Sequence, residues 1–295
     1  MNALLVSLAA LSLTAAASLR TQSQPAGKQQ TRQIFVSVTD RSGPVLDLGA
    51  ADFEISEEGA TRQVVRAALA HDPMRVALLI DTSEGTTAAL NHMRAGLVAF
   101  LDALPPQHEV MLVTTGRQVR VRVPPTTDRK KVRDAASGLF SDGGATPLMD
   151  ALLEIDERFL RKADDRWPVF VIVTGDGAEV SAGANEKKFN NWLRALPSRG
   201  VSAHAISLKY KGGGMPEIIA SHVAETVGGR YDFMNTSNAL PEKLKGIADQ
   251  MARDFERAQT KYAITFVTDS ADVRPVSVGV ARDGVKLEMT TGRIR

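Results

Sequence analysis

The chain contains no cysteine. That absence excludes disulfides, zinc–thiolate sites, thiol nucleophiles and lipid-modified cysteine anchors, and it leaves either redox compartment open. Aromatic residues are only 5% of the 295 positions, too few to suggest stacking platforms for bases. No charge of one sign dominates: 36 Lys and Arg stand against 34 Asp and Glu, a formal net charge of +2. Nothing in that balance draws the chain toward nucleic acid. No G-x-x-x-x-G-K-[ST] occurs, which removes P-loop nucleotide hydrolysis. What remains is an ordinary globular composition, 43% hydrophobic and 24% charged. The length suffices for one large domain and a small one.

Long apolar runs are also scarce. Residues 3–17, ALLVSLAALSLTAAA, carry no charge and end in Ala15-Ala16-Ala17 before Ser18. A small-x-small ending of this kind reads as a secretory signal peptide over 1–17. No Lys or Arg precedes the run, so the alternative reading is an uncleaved apolar helix. The run is short for a membrane span, and no later segment is longer. The expected location is secreted or periplasmic. Residues 18–31, SLRTQSQPAGKQQT, are polar with Pro and Gly and read as a linker.

Beyond the linker the patterns change twice. IFVSV (34–38), DFEIS (52–56) and RQVVRAA (62–68) predict strands separated by turn chemistry at Ser42-Gly43-Pro44 and Glu57-Glu58-Gly59. At the other end, YAITFVT (262–268), VRPVSVGVA (273–281) and VKLEMT (285–290) predict three more, with Asp283-Gly284 as a hairpin turn. Three strands alone are marginal. Both chain ends, 32–70 and 261–295, are therefore expected to meet in one small β-sandwich.

The middle, 72–258, alternates strands and helices. MRVALLI (74–80) and PVFVIVTG (168–175) are near-continuous apolar runs, as for parallel strands buried on both faces. Leu90, Met93, Leu97, Leu101 and Leu104 make one helical stripe, ended by Pro105-Pro106. EVMLVTT (109–115) predicts a strand and QVRVRV (118–123) a half-exposed edge strand. Asp128 is placed to N-cap the next helix. Leu240, Leu244, Ile247, Met251 and Phe255 line a closing helix. The rhythm implies an α/β fold, a doubly wound and mostly parallel sheet.

In such a sheet, ligands bind outside the carboxyl ends of the strands where strand order reverses. Asp81, in DTSEG, ends the most apolar strand; Asp176, in VTGDGAE, follows the next most apolar one. Thr146, in GGATPLMDAL, opens the helix between them. One edge would then collect two carboxylates and at least the hydroxyls of Ser83 and Thr146, oxygen donors suited to a hard divalent cation.

VALLIDTSEGT, GGATPLMDAL and VFVIVTGDGAE, in that order, resemble a von Willebrand factor A domain. The flanking strands resemble those of secreted bacterial proteins of that type, whose small β-domain comes from both chain ends. The resemblance implies a Rossmann-like fold and a metal-ion-dependent adhesion site with a D-x-S-x-S loop, a distant Thr and a later Asp. Carried over, Asp81, Ser83, Thr146 and Asp176 would hold Mg²⁺, with Mn²⁺ or Ca²⁺ as substitutes. The implied partner is a protein whose acidic side chain completes the shell. One position departs: Gly85 stands where the second Ser belongs. Either a water or Thr86 takes its place, or the site is metal-free and the loop structural.

Other candidates have plainer readings. Glu84 and Glu179 read as solvated loop charges, Asp150 as a polar helix residue, and His204 as a packed core histidine. Arg117, Arg120 and Arg122 read as an exposed edge. The enzyme alternatives are weak. A haloacid-dehalogenase-type phosphatase needs a second carboxylate two residues after Asp81, where Ser83 stands. A serine-hydrolase elbow needs glycine at position 81. Two functions lead: a binding protein acting through a Mg²⁺-assisted edge, or a metal-independent assembly protein acting through its β-domain; a divergent hydrolase is the least favoured third.

Overall fold

A computed structural model describes residues 30–70, 72–163, 165–183, 185–208, 214–269 and 274–290. The apolar run read as a signal peptide and residues 18–29 of the linker lie outside the described residues, as do residues 209–213 before the fifth helix. The linker reading ends two residues too late, because the first strand already begins at Gln30.

The chain opens with β1 (Gln30–Asp40), β2 (Gly43–Pro44), β3 (Phe53–Glu57), β4 (Ala60–Arg62) and β5 (Val64–Leu69). It then runs through β6 (Met74–Ile80), α1 (Leu90–Ala103), β7 (Glu109–Thr114), β8 (Arg120–Thr126), α2 (Arg129–Ser137) and α3 (Leu148–Ile155). β9 (Trp167–Gly175), α4 (Glu186–Ala195), β10 (Ser202–Leu208), α5 (Met215–Thr226), β11 (Tyr231–Met234) and α6 (Leu240–Ala258) complete the central part. β12 (Lys261–Thr268), β13 (Val276–Val280) and β14 (Lys286–Thr290) follow.

The central sheet has the order β11-β10-β9-β6-β7-β8. All neighbours are parallel except the edge strand β8, which returns antiparallel to β7. The chain builds outward from β6 on one side, then crosses to lay β9 on its other flank. The reversal point thus falls between the carboxyl ends of β6 and β9. Alternate residues of β6 explain why both faces are covered. Met74, Val76, Leu78 and Ile80 enter one core with α1 and α6, while Ala77 and Leu79 enter the other with α3, α4 and α5. All six are fully buried, which is why the strand reads as an unbroken apolar run.

The end strands form two further sheets, β14-β1-β12-β5 and β13-β3-β4. Ile34, Val36, Phe53, Ile55, Tyr262, Ile264 and Phe266 fill the space between them. Tyr262 is buried, yet its hydroxyl accepts from the Leu48 amide at 2.9 Å and donates to the Val45 carbonyl at 3.0 Å. Glu57 is fully buried between Arg32 at 3.0 Å and Arg62 at 3.1 Å. One expectation fails here. Gly284 does turn the chain with φ of +76°, but no hairpin forms, because β13 pairs with β3 and β14 with β1. The turn carries the chain from one sheet to the other, so both strands bury their apolar sides in the shared core.

Candidate functional site

Where β6 ends, the Asp81 amide still bonds the Val173 carbonyl of β9 at 2.8 Å. The side chain then folds back over the strand ends. Oδ1 accepts from the Ser83 amide at 2.8 Å; Oδ2 accepts from the Thr174 hydroxyl and the Gly175 amide, each at 3.1 Å. Asp81 is 1% exposed, and no Lys, Arg or His pairs with it among the described residues. A buried carboxylate is costly unless a positive charge meets it. Its three donors are all neutral.

Ser83 is equally buried, and its hydroxyl oxygen has no hydrogen-bond partner among the described residues. Such orphaned buried groups are rare and ask for a ligand or a reason. The next loop lies against it: a Cβ on Gly177 would stand 3.5 Å from that oxygen. A Cβ on Gly85 would stand 3.5 Å from the Gly177 backbone and 3.9 Å from Asp176 Oδ1. Asp81, Ser83, Gly85 and Asp176 therefore share one cluster at the reversal point.

Thr146 reaches the same edge by a different device. Gly143 and Gly144 adopt left-handed φ values of +68° and +65°, which glycine takes at little cost. They turn the chain so that the Gly144 carbonyl accepts from the Glu84 amide at 3.0 Å and the Thr146 amide donates to the Ala178 carbonyl at 3.0 Å. The loop is thereby bonded to both carboxylate-bearing loops. Thr146 precedes the helix rather than opening it: it bridges to Glu179, and α3 starts at Leu148 after Pro147. Its buried hydroxyl shares a 2.8 Å hydrogen bond with Thr115.

Thr86 does not supply the missing hydroxyl. It is fully buried and donates to the Asp81 and Ser83 carbonyls, at 2.8 and 3.0 Å. It closes the short 3-10 turn that follows Ser83. Glu179, read as a solvated loop charge, and Asp150, read as a polar helix residue, also have structural work. Glu179 accepts from the Met149 amide at 3.2 Å in the first turn of α3. Asp150 accepts from the Ala182 and Gly183 amides at 2.9 and 3.1 Å. Together they fasten the loop after β9 to α3.

A network that the sequence did not announce braces Thr82 from behind. The Asp142 amide donates to the Thr82 carbonyl at 2.9 Å, and the Thr82 hydroxyl donates to Asp142 at 2.7 Å. Arg122 donates to both Asp142 oxygens, at 2.7 and 2.8 Å. Burial pushes the Asp142 carboxyl up, but the bonds from Thr82 and Arg122 outweigh it and hold it below the ordinary carboxylate range. Only alternation in QVRVRV hinted that these arginines share a side of the strand.

Among the described residues, His108 and His204 are packed away from this cluster. His204 is packed as expected, accepting from the Arg230 amide at 3.3 Å. Burial, with Arg230 nearby, depresses its pKa to about 4. His108 is likewise buried against Phe255 and depressed to about 4, by burial and then Arg129. Among the described residues no three of His, Asp and Glu gather as a metal cluster. A cation at this edge would depend on hydroxyl oxygens beside Asp81 and Asp176. Chemically the set suits a hard divalent ion: two carboxylates, an unbonded hydroxyl, and a second hydroxyl at Thr146.

Comparison with known proteins agrees with this architecture. Residues 76–179 match the von Willebrand factor type A domain family. Among solved structures, a von Willebrand factor type A protein from Catenulispora acidiphila is 10% identical, covering 91% of this chain and 74% of its own, with a TM-score of 0.51. The vWF domain of the type V pili tip protein Mfa5 from Porphyromonas gingivalis is 11% identical over 63% of this chain and 97% of its own, with a TM-score of 0.51. Proximal thread matrix protein 1 from the mussel byssus is 17% identical over 62% of this chain and 49% of its own, with a TM-score of 0.50. At these identities the likeness is one of fold. No curated protein matches the chain.

Proposed function

From the premise that residues 76–179 form a von Willebrand factor type A domain, we propose that the chain is a binding protein, not an enzyme. It engages a protein partner at the carboxyl edge of its central sheet through a divalent cation. Asp81, Ser83, Thr146 and Asp176 hold the ion, Mg²⁺ in the first place with Mn²⁺ or Ca²⁺ as substitutes. When bound, the cation offers an open coordination position to an acidic side chain of the partner. The observation that carries this reading is the pairing of a buried carboxylate that meets no cation among the described residues with a buried hydroxyl that meets no partner among them.

In this reading the binding domain spans 72–258, and a small β-sandwich of 32–70 with 261–295 carries it. Residues 1–17 direct export, so the protein works in the periplasm or outside the cell. No helix among the described residues is long and apolar enough to cross a membrane.

Calorimetric titration with Mg²⁺ and Mn²⁺ tests it. The wild type should show saturable binding that Asp81→Asn abolishes. A wild type that takes up neither ion would sink the metal-assisted reading. One observation favours a second reading, a metal-independent assembly protein acting through its β-sandwich: Gly85 offers no hydroxyl, and Thr86 is committed to the backbone. Deleting 32–70 and 261–295 would then abolish assembly while the central domain stays folded.

A further inference from the structure

Beside the cluster lies a residue that the metal-assisted reading does not use. Arg117 follows β7 and has φ of +53°, left-handed backbone that a non-glycine side chain adopts at a cost. It is held there firmly. Its amide donates to the Ala145 carbonyl at 2.8 Å, next to Thr146. A Cβ on the preceding Gly116 would come within 2.7 Å of the Thr82 carbonyl, so the strand end can approach the Asp81 loop only as glycine. Gly144 packs on Arg117 so closely that an added Cβ would stand 3.3 Å from its Cβ. The guanidinium lies over Gly143, 3.7 Å from where a Cβ would be. Glycine or asparagine would occupy this turn with less strain. An arginine here is exposed, and no acid among the described residues pairs with it, although Arg120 and Arg122 on the following strand both pair with Asp142.

Arg117 also stands at the head of a groove of about 580 Å³ that runs along α3. Pro147 and the exposed Val180 line the near end, directly after Thr146 and Glu179. Glu154 and Glu157 line the far end, together with Arg158 and Lys188. Asp150 lines it too, so three acids stand against three cations, and Arg117 is the cation bonded next to Thr146; a groove of mixed charge suits an extended peptide. It does not suit a polyanion.

We propose that Arg117 is a second anchor of the binding face, and that the partner is an extended protein segment with two acidic residues, one for the Asp81–Asp176 cluster and one for Arg117. This rests on the proposed binding role of the edge, but the arginine acts whether or not a cation is bound. A guanidinium offers a planar fork of donors matched to a carboxylate. Its left-handed backbone and glycine neighbours keep it in place before the partner arrives, which lowers the ordering cost of binding.

The probes are two synthetic decapeptides, identical except that one carries two aspartates two residues apart and the other has the second replaced by asparagine. Binding is measured by fluorescence polarisation with Mg²⁺ and with chelator. The wild type should prefer the two-aspartate peptide by roughly fivefold, the upper range for a partly exposed ion pair. Arg117→Asn tolerates the left-handed backbone and should keep the melting temperature and Mg²⁺ titration of the wild type. It should lose the preference and leave the single-aspartate affinity unchanged, while Arg117→Lys keeps part of it. A preference that survives in Arg117→Asn overturns the proposal, as does failure of both peptides to bind at millimolar concentration. If chelator weakens both peptides equally, the cation and the arginine act separately. If chelator changes nothing but the preference still depends on Arg117, the anchor stands and the metal-assisted reading falls.

Discussion

Two buried aspartates in the same domain have opposite surroundings. Asp156, on the turn after α3 at the amino end of the sheet, is fully buried. Arg199 donates to both its oxygens at 2.7 Å, and Arg161 and Trp192 add bonds at 2.9 and 2.8 Å. Asp81, at the carboxyl end, is as deeply buried but receives only two amides and a hydroxyl. Glu57 in the β-sandwich follows the Asp156 pattern, with two arginines. A buried acid surrounded by its own cations has its charge balanced within the fold. One surrounded by neutral donors is balanced only when something else arrives. Burial alone would class the three together; the partners separate them.

The strongest way to break the comparison is at Asp156. Burial pushes its carboxyl up, but Arg199 and Arg161 outweigh it and hold it below the ordinary carboxylate range. Its contribution is therefore present at neutral pH and lost only as pH falls through that depressed value. Asp156→Ala leaves Arg199, Arg161 and the buried Trp192 indole without their shared acceptor and should lower stability by about 3 kcal/mol in urea unfolding, with or without Mg²⁺.

Acid titration should give an effect of the same order. His108 and His204 are neutral when folded down to about pH 4, whereas an unfolded histidine takes a proton near 6.5. The unfolded chain then binds more protons between these values, so stability falls as pH drops through that window. Each histidine should contribute up to about 1.4 kcal/mol per pH unit. His204→Asn should flatten the slope measured by thermal melts from pH 7 to 4.5.

Asp81→Asn should contrast with Asp156→Ala. In chelator it removes a charge that meets no cation among the described residues but sets an amide nitrogen against one of the donors now bonded to Asp81, so it should lose far less stability than Asp156→Ala. With Mg²⁺ only the wild type should gain. The smallest effect is expected at Gly85. A side chain there fits at 3.5 Å from its nearest neighbours, close to Asp176. Gly85→Ser should therefore fold normally and tighten Mg²⁺ a few-fold in calorimetry. Weaker binding in that variant would show that the gap is filled by something larger than water.

Much of this architecture can be read before any coordinates. The unbroken apolar runs of β6 and β9 imply burial on both faces, and the structure buries them so. The stripe from Leu90 faces α6, and Asp128 accepts from the Lys130 and Lys131 amides at the head of α2. Asp81 and Asp176 share an edge because both follow such runs. What stays illegible depends on long-range partners. The turn at Gly284 says that the chain bends, not which sheet each strand joins. Glu179 and Asp150 look like ordinary surface acids until the amides they accept from are in place. Thr86 offers the same hydroxyl as Ser83, and only the backbone of the 3-10 turn decides that one is used and the other is not. The left-handed backbone of Arg117 follows from the approach of Gly116 to Thr82, a contact between residues far apart in sequence.

The two connections between the central part and the β-sandwich lie side by side. The Ala70 amide bonds the Lys261 carbonyl at 2.8 Å, and Leu69 pairs with Tyr262 at the adjoining ends of β5 and β12. A tug on the carboxyl edge is therefore shared by two tethers that enter neighbouring strands from the same end. It loads β12 lengthwise against β1, where eight residue pairs align from Gln30–Thr268 to Ser37–Lys261. Strands loaded in that direction must slip as a block instead of unzipping one bond at a time.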